Sequence, residues 1–193
     1  MWERQPVTTL TGMTLLDQLA TGRRWVVDAG RSRVELEMHV AGLVAVRGRF
    51  TRVRGHLDRP DESGEEGCAV HVDVEAASLT TGSACRDAVL NAAGIIDTAA
   101  GPLITYRSRT LRPAPHGGWQ VLGVIGTARC ALPLRLAVGD PETTPEGVML
   151  HGRGELSRDD VVRLVARSGA AVLMGPTATL DLTLALRPVL PGE

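Results

Sequence analysis

Apolar and polar side chains alternate along much of this 193-residue chain. Segments 34–40, 70–76 and 180–186 carry an aliphatic residue at every second position, and 132–138 follows the same pattern more loosely. Successive side chains of a β-strand point to opposite faces, so each segment has one apolar and one polar face. Further strands are predicted at 46–59, 103–111, 118–126 and 147–156. About eight antiparallel strands are typical of a small barrel that encloses a ligand.

The alternation also predicts which side chains enter the barrel. In segment 34–40 the even-numbered residues, including Val40, are expected to face the interior, and the odd-numbered residues, including His39, are expected to face solvent. The apolar register changes between Phe50 and Val53, which predicts a bulge between them.

One segment has helical rather than β spacing. Within residues 83–93, Val89 and Leu90 are apolar while Arg86 and Asp87 are polar. This segment predicts a short helix over one mouth of an all-β, antiparallel barrel.

The chain reads as one domain with an extension. Residues 1–23 approximate an amphipathic helix and are predicted as a partly helical N-terminal extension. Residues 24–190 are predicted to form the barrel domain, in which 157–175 is an irregular stretch.

Composition narrows the function classes. The net charge of -1 gives no indication of a nucleic-acid partner. The mean hydropathy of +0.04 is too low to indicate a membrane-spanning segment. All 21 basic residues are arginine, which excludes a Schiff-base or P-loop lysine. The five histidines are scattered and nucleotide-binding motifs are missing, so no metal or organic cofactor is expected. Three widely spaced cysteines and a start without a secretory-signal pattern predict a cytoplasmic protein.

Several short motifs follow one another in a distinctive order. They are Trp25-Val26-Val27-Asp28 with Ser32, Val46-Arg47-Gly48-Arg49-Phe50, Ser78-Leu79-Thr80-Thr81-Gly82, Arg86-Asp87 with Leu90, Gly101-Pro102-Leu103-Ile104-Thr105-Tyr106-Arg107-Ser108, and Leu156-Ser157-Arg158-Asp159-Asp160. Together they resemble the YceI-like family across roughly residues 25–187. The resemblance implies a lipocalin-like barrel that binds a polyisoprenoid or a similar chain-like lipid in its lumen.

The chain departs from the family pattern at three places. Val40 and Val89 stand where the family usually has histidines, and Ile95-Ile96 replaces an aromatic pair. Two polar groups and several rings are therefore missing from the expected site.

The resemblance singles out Arg86 and Asp87 as groups that would orient an oxygenated end of the ligand at the barrel mouth. A salt bridge to the barrel, or a helix cap formed by Asp87, is the structural alternative. Tyr106 shares a strand face with Ile104 and is either a hydrogen-bond donor to the ligand or an anchor in the wall. Trp119 is either core packing or lumen wall. The complete predicted ligand-binding set is Val40, Arg86, Asp87, Val89, Leu90, Tyr106, Trp119 and Leu182.

The leading functional hypothesis is binding or carriage of a long apolar molecule in a lumen entered near the Arg86–Asp87 helix. One alternative is a cyclase or isomerase acting on a hydrophobic polyketide or terpenoid, with Arg86, Asp87, Asp97 and Tyr106 as its first candidates. Another is an interaction module without a ligand. The expected partner is an apolar chain-like small molecule, and homodimerisation is left open.

Overall fold

The structure, a computed structural model, describes residues 24–40, 44–58, 69–95, 103–165 and 169–189. The predictions for residues 1–23 and for Asp97 lie outside these ranges. The strands are β1 (Arg24–Val27), β2 (Arg33–Val40), β3 (Val44–Phe50), β4 (Val53–Asp58), β5 (Ala69–Glu75), β6 (Leu79–Thr80), β7 (Leu103–Pro113), β8 (Trp119–Gly126), β9 (Ala131–Val138), β10 (Glu142–Thr144), β11 (Gly147–Ser157) and β12 (Met174–Pro188). The helices are α1 (Ala84–Ala92) and α2 (Arg158–Leu164).

The strands form a closed antiparallel barrel. β1 and β2 lie one after the other along the same edge of β12, so together they act as one interrupted strand. The pairs β3–β4 and β5–β6 are interrupted in the same way, because each member pairs with the corresponding neighbour. β9 and β10 likewise lie one after the other along β11. With these four pairs each counted once, eight strand lines pair in chain order, and β12 closes the ring between β11 and β1–β2. The predicted all-β, lipocalin-like barrel is confirmed.

Asp28 and Ser32, from the motif that begins at Trp25, connect the interruption between β1 and β2 to β12 by hydrogen bonds. The backbone N–H of Asp28 donates to the carbonyl of Ala185 at 2.9 Å, and Ser32 Oγ accepts from the N–H of Ala185 at 3.0 Å. Asp28 Oδ1 also accepts from Gly30 N at 2.9 Å. Asp28 and Ser32 thus bond to the same residue of β12 from the two sides of the interruption, and the barrel wall stays closed there.

The predicted strand register is also confirmed. Met38 is buried, Leu36 and Val40 line the interior, and His39 is exposed. Phe50 and Val53 are both buried on either side of the break between β3 and β4, as the change of register predicts.

α1 forms where helical spacing predicts it. Ser83 Oγ caps the helix by accepting from Arg86 N at 3.4 Å. Leu90 is buried, whereas Val89 is 61% exposed, because adjacent helical residues point about 100° apart.

α2 corrects the prediction that 157–175 is irregular. Ser157 Oγ accepts from Asp160 N at 3.1 Å, and Ser157 N donates to Asp160 Oδ2 at 3.3 Å, which makes a capping box. The spacing of Ser157 and Asp160 before an apolar run was the sequence signal for this helix. Neither helix within the described ranges is long and apolar enough to cross a membrane.

Candidate functional site: the barrel lumen

The lumen holds a chain of apolar compartments. The large compartment has a volume of about 100 Å3 and is walled by aliphatic side chains such as Leu134, Leu136, Leu150, Leu182 and Leu184. An apolar space of this kind offers water few hydrogen-bond partners, so it is expected to stay dry or to hold an apolar guest.

Two smaller compartments lie towards the helices. The middle compartment, about 50 Å3, is bounded by Val161 and Leu164 of α2 together with Leu156. The helix compartment, about 40 Å3, lies beneath Leu90 of α1 and beside Val40. The helices therefore contribute side chains that fill this part of the lumen.

Shared side chains separate the three compartments. Val74, Ile104, Ile125 and Leu180 line both the large and the middle compartments. Leu36, Phe50, Val161 and Val165 line both the middle and the helix compartments. The compartments thus lie in series, and only side chains divide the predicted single elongated cavity.

Tyr106 is built into the wall of the large compartment. Its hydroxyl donates to the carbonyl of Val121 at 3.2 Å, and burial raises the pKa of Tyr106 to about 12. A Cβ on Gly123 would lie 2.6 Å from the phenol oxygen, so the ring needs a glycine opposite it. Ser108 is buried on the same strand and donates to the carbonyl of Leu122. Both hydroxyls therefore have partners in the wall.

The end of the barrel away from the helices is closed by apolar packing. Trp25, Leu57, Val148 and Leu186 form a buried cluster there, and Trp119 packs against it while lining the large compartment. Of the two tryptophans in the described residues, Trp119 lines the large compartment and Trp25 does not, so a ligand-dependent change in tryptophan fluorescence is assigned to Trp119.

Arg86 and Asp87 connect α1 to the end of β6. Asp87 Oδ2 accepts from Thr80 Oγ1 at 2.7 Å, and its Oδ1 accepts from Thr81 N at 2.8 Å and from Thr81 Oγ1. The hydrogen bonds from Thr81 hold the pKa of Asp87 below its usual range. Arg86 Nε donates to Thr81 Oγ1 at 2.9 Å. Both residues thus have structural partners, but these are threonine hydrogen bonds rather than the expected salt bridge, and Ser83 rather than Asp87 caps the helix. Contact of either residue with a ligand stays a prediction.

The other predicted site residues divide between two compartments. Tyr106, Trp119 and Leu182 line the large compartment, while Val40 and Leu90 line the helix compartment. The Val89 side chain is directed to solvent on α1 and lines none of the three compartments. Sequence reasoning missed Val161 and Leu164, because it did not predict the helix that carries them.

Comparison with known proteins agrees with this architecture. The YceI-like domain matches residues 25–184. BcnA of Burkholderia cenocepacia shares 15% identity, with a TM-score of 0.67 over 82% of this chain and 98% of that one. A polyisoprenoid-binding domain from Saccharophagus degradans, implicated in plant cell wall breakdown, shares 14% identity, with a TM-score of 0.61 over 86% and 98%.

The YceI protein of Campylobacter jejuni shares 18% identity, with a TM-score of 0.58 over 76% of this chain and 88% of that one. No curated protein has significant sequence similarity to the chain. At these identities the similarity to the solved structures shows the fold alone. The match to the YceI-like domain covers most of the sequence. The chain belongs to the YceI-like family.

Proposed function

We propose that this protein binds and carries a long apolar molecule, of the polyisoprenoid type, inside the barrel. The observation that carries the proposal is the series of apolar compartments along the lumen. A chain-like guest suits such a series better than a compact guest, because it can pass from one compartment to the next. The Saccharophagus degradans neighbour, described as polyisoprenoid-binding, adds support for this class of ligand.

The free energy of binding would come mainly from desolvation. Each buried methylene contributes about 0.8 kcal/mol, so a long hydrocarbon can bind well without many polar contacts. A guest longer than the large compartment requires Ile104, Ile125 or Leu180 to change rotamer, since these side chains stand between that compartment and the next. Aliphatic side chains can do this without breaking a hydrogen bond.

The properties of Tyr106 support a role in ligand binding rather than in acid–base chemistry. With a pKa of about 12 it stays protonated at neutral pH, and its proton is already donated to the Val121 carbonyl. A general acid or base works best with a pKa near the working pH. The ring therefore supports the lumen wall in the proposed carrier.

The test is a titration with a prenyl alcohol such as geranylgeraniol, followed by Trp119 fluorescence. Wild-type protein should bind it in the lumen. Leu182→Trp should fill the large compartment and weaken binding at least about 100-fold, which corresponds to a loss of roughly 3 kcal/mol of apolar contact. Because the new tryptophan changes the fluorescence, binding to this variant is measured with radiolabelled ligand.

Thr183→Trp is the matched control. Thr183 is the next residue on β12, and its side chain contacts His151 rather than the large compartment. This variant should bind as the wild type does. The carrier function is wrong if the wild type binds no prenyl or fatty chain, or if Leu182→Trp binds as well as Thr183→Trp while remaining folded.

We further propose a cytoplasmic location. Cys85 and Cys130 are free thiols, and unpaired cysteines are common in reducing compartments. Fractionation of cells that express the native gene should place the protein with cytoplasmic markers, and recovery with the periplasmic or secreted fraction would contradict this.

A further inference from the structure

The barrel wall has a seam between β9 and β11. Within the described residues these strands pair only through 136–138 and 152–154, although β11 pairs with β12 along the whole of 148–157. In the same register, residues 133–135 of β9 and 155–157 of β11 would lie opposite one another, and they are not paired in the ladder. Pro133 lies in this unpaired stretch and lacks an N–H, which makes the edge a poor site for adding another strand.

An open groove of about 630 Å3 lies on the outer surface over this seam. Pro133 and Arg135 border it on β9, and Arg153, Gly154 and Glu155 border it on β11. The groove is thus part apolar and part charged, unlike the largely apolar lumen.

Leu134 is the partition between groove and lumen. Its side chain is only 4% exposed, yet the residue lines both the outer groove and the large compartment. Gly154 faces it without a side chain, and a Cβ built there would lie 3.4 Å from Leu134 Cδ1 and 2.7 Å from Leu136 Cδ2. Leu134 thus lies between groove and lumen close to the point where β9 and β11 stop pairing.

Two guanidinium groups make the groove suitable for an anion. Arg135 and Arg153 both border it and are exposed. Arg153 approaches Asp181 at 3.6 Å, and no carboxylate pairs with Arg135 among the described residues. Glu155 supplies one opposing charge, so the border carries two positive groups and one negative group. Arginine binds carboxylate and phosphate groups through paired, charge-assisted hydrogen bonds.

We infer that this seam is a second part of the ligand site, and that the preferred ligand is a single-chain amphiphile with an anionic head. The head lies in the outer groove between Arg135 and Arg153, and the chain passes Leu134 and Gly154 into the large compartment. This inference rests on the proposed carrier function and adds to it the charge of the ligand and the place where its head leaves the barrel.

The first test compares two ligands of equal chain length, dodecanoate and dodecanol, by Trp119 fluorescence. Wild-type protein should bind dodecanoate about tenfold more tightly than dodecanol, which is the value of one charge-assisted contact. The double variant Arg135→Gln/Arg153→Gln should lose that preference and keep its affinity for dodecanol. Arg49→Gln/Arg54→Gln, which removes two exposed arginines of β3 and β4, is the matched control and should keep the preference. Acetate in excess should not compete, because a free anion lacks the chain.

The second test measures the partition itself by stopped-flow uptake of dodecanol. Leu134→Ala should speed uptake severalfold, since the side chain that separates groove and lumen is shortened. Leu132→Ala is the control, because Leu132 is buried on the same face of β9 but does not border the groove. The two variants remove the same atoms from neighbouring core positions, so a general loosening of the barrel would affect both alike.

Failure of the inference differs from failure of the carrier function. If the wild type binds both ligands equally, or if the control and groove variants behave alike, the seam is only a gap in strand pairing and the inference is overturned while lumen binding stands. If acetate competes with dodecanoate, the groove is a free-anion site and the inference is likewise wrong. If neither dodecanoate nor dodecanol binds, the carrier function fails and the inference fails with it.

Discussion

The two halves of the lumen differ in how they are filled. In the cavity half, from the Trp25–Leu57 cluster to Leu180, the described side chains that point inward all come from strands, and the large compartment of about 100 Å3 lies between them. In the helix half, Leu90 of α1 and Leu164 of α2 add to the strand side chains, and the spaces are about 50 and 40 Å3.

The difference shows that strand side chains alone do not fill this barrel. Eight strands set its width, and inward leucines and valines leave space near the axis, whereas bulkier rings would fill more of it. The chain has a single phenylalanine and a single tyrosine, and the phenol end of Tyr106 lies close to Gly123 in the wall. Among the described residues, helical side chains enter the lumen at one end, where the remaining space is divided into two smaller compartments.

The largest predicted effect is on stability, and it is measured by making one leucine-to-alanine substitution in each half. Leu164→Ala should lower the free energy of unfolding by about 3–4 kcal/mol, because Leu164 is buried and the compartment that it borders is only about half the size of the large one. Leu184→Ala should lower it by about 2 kcal/mol or less, because this side chain borders existing space and has fewer neighbours to lose. Urea unfolding followed by circular dichroism measures both, and equal losses would mean that the halves are packed alike.

Substitutions that add volume should be tolerated better in the cavity half than in the helix half. Val161 is 2% exposed on α2, so Val161→Phe should cost about 2–3 kcal/mol through overpacking. Leu182→Phe should cost under about 1 kcal/mol, because the large compartment accepts the ring. If Leu182→Phe is the more destabilising variant by the same measurement, the large compartment does not exist as described.

Tyr106 gives a spectroscopic measure of the cavity half. Its pKa of about 12 lies above the ordinary 10, so its contribution to stability is present below pH 10 and is lost as the pH rises from about 10 to 12. As the chain has one tyrosine, tyrosinate absorbance reports this residue alone. The transition should lie near pH 12 in folded protein and near pH 10 in urea. Tyr106→Phe should cost about 1 kcal/mol through loss of the bond to the Val121 carbonyl.

The smallest predicted effect is local and lies in the helix half. Asp87→Asn should weaken the hydrogen bonds from Thr80 and Thr81, so amide exchange in α1 should become severalfold faster while exchange in β7 and β8 is unchanged. The depressed pKa of Asp87 adds a pH dependence, since its stabilising effect is present above pH 3.8 and is lost as the pH falls through the folded value. Unchanged exchange in α1 would show that Asp87 does not hold the helix.

The sequence predicted the barrel because alternation is a local property of each strand. The spacing of Val34, Leu36 and Met38 predicts the buried face of their strand, whichever strands pair with it. It did not predict α2, because seven residues are too few for a clear helical period, and only the capping box between Ser157 and Asp160 marked the start.

The candidate site was less accessible to sequence reasoning than the fold. Parity predicted that Tyr106, Trp119 and Leu182 face the lumen, and they do. How the lumen divides depends on side chains from distant parts of the chain, such as Ile104 and Val161, that meet only in three dimensions. The seam at Leu134 and Gly154 depends on where two strands stop pairing, and no local pattern in the sequence marks that point.

A crystal structure of the protein with geranylgeraniol tests the central claim most directly. The account predicts that the hydrocarbon chain lies in the large compartment against Trp119 and Leu182 and continues past Ile104 or Leu180 towards the middle compartment. A chain bound only on the outer surface of the barrel, or a lumen whose side chains have closed the large compartment, would contradict it.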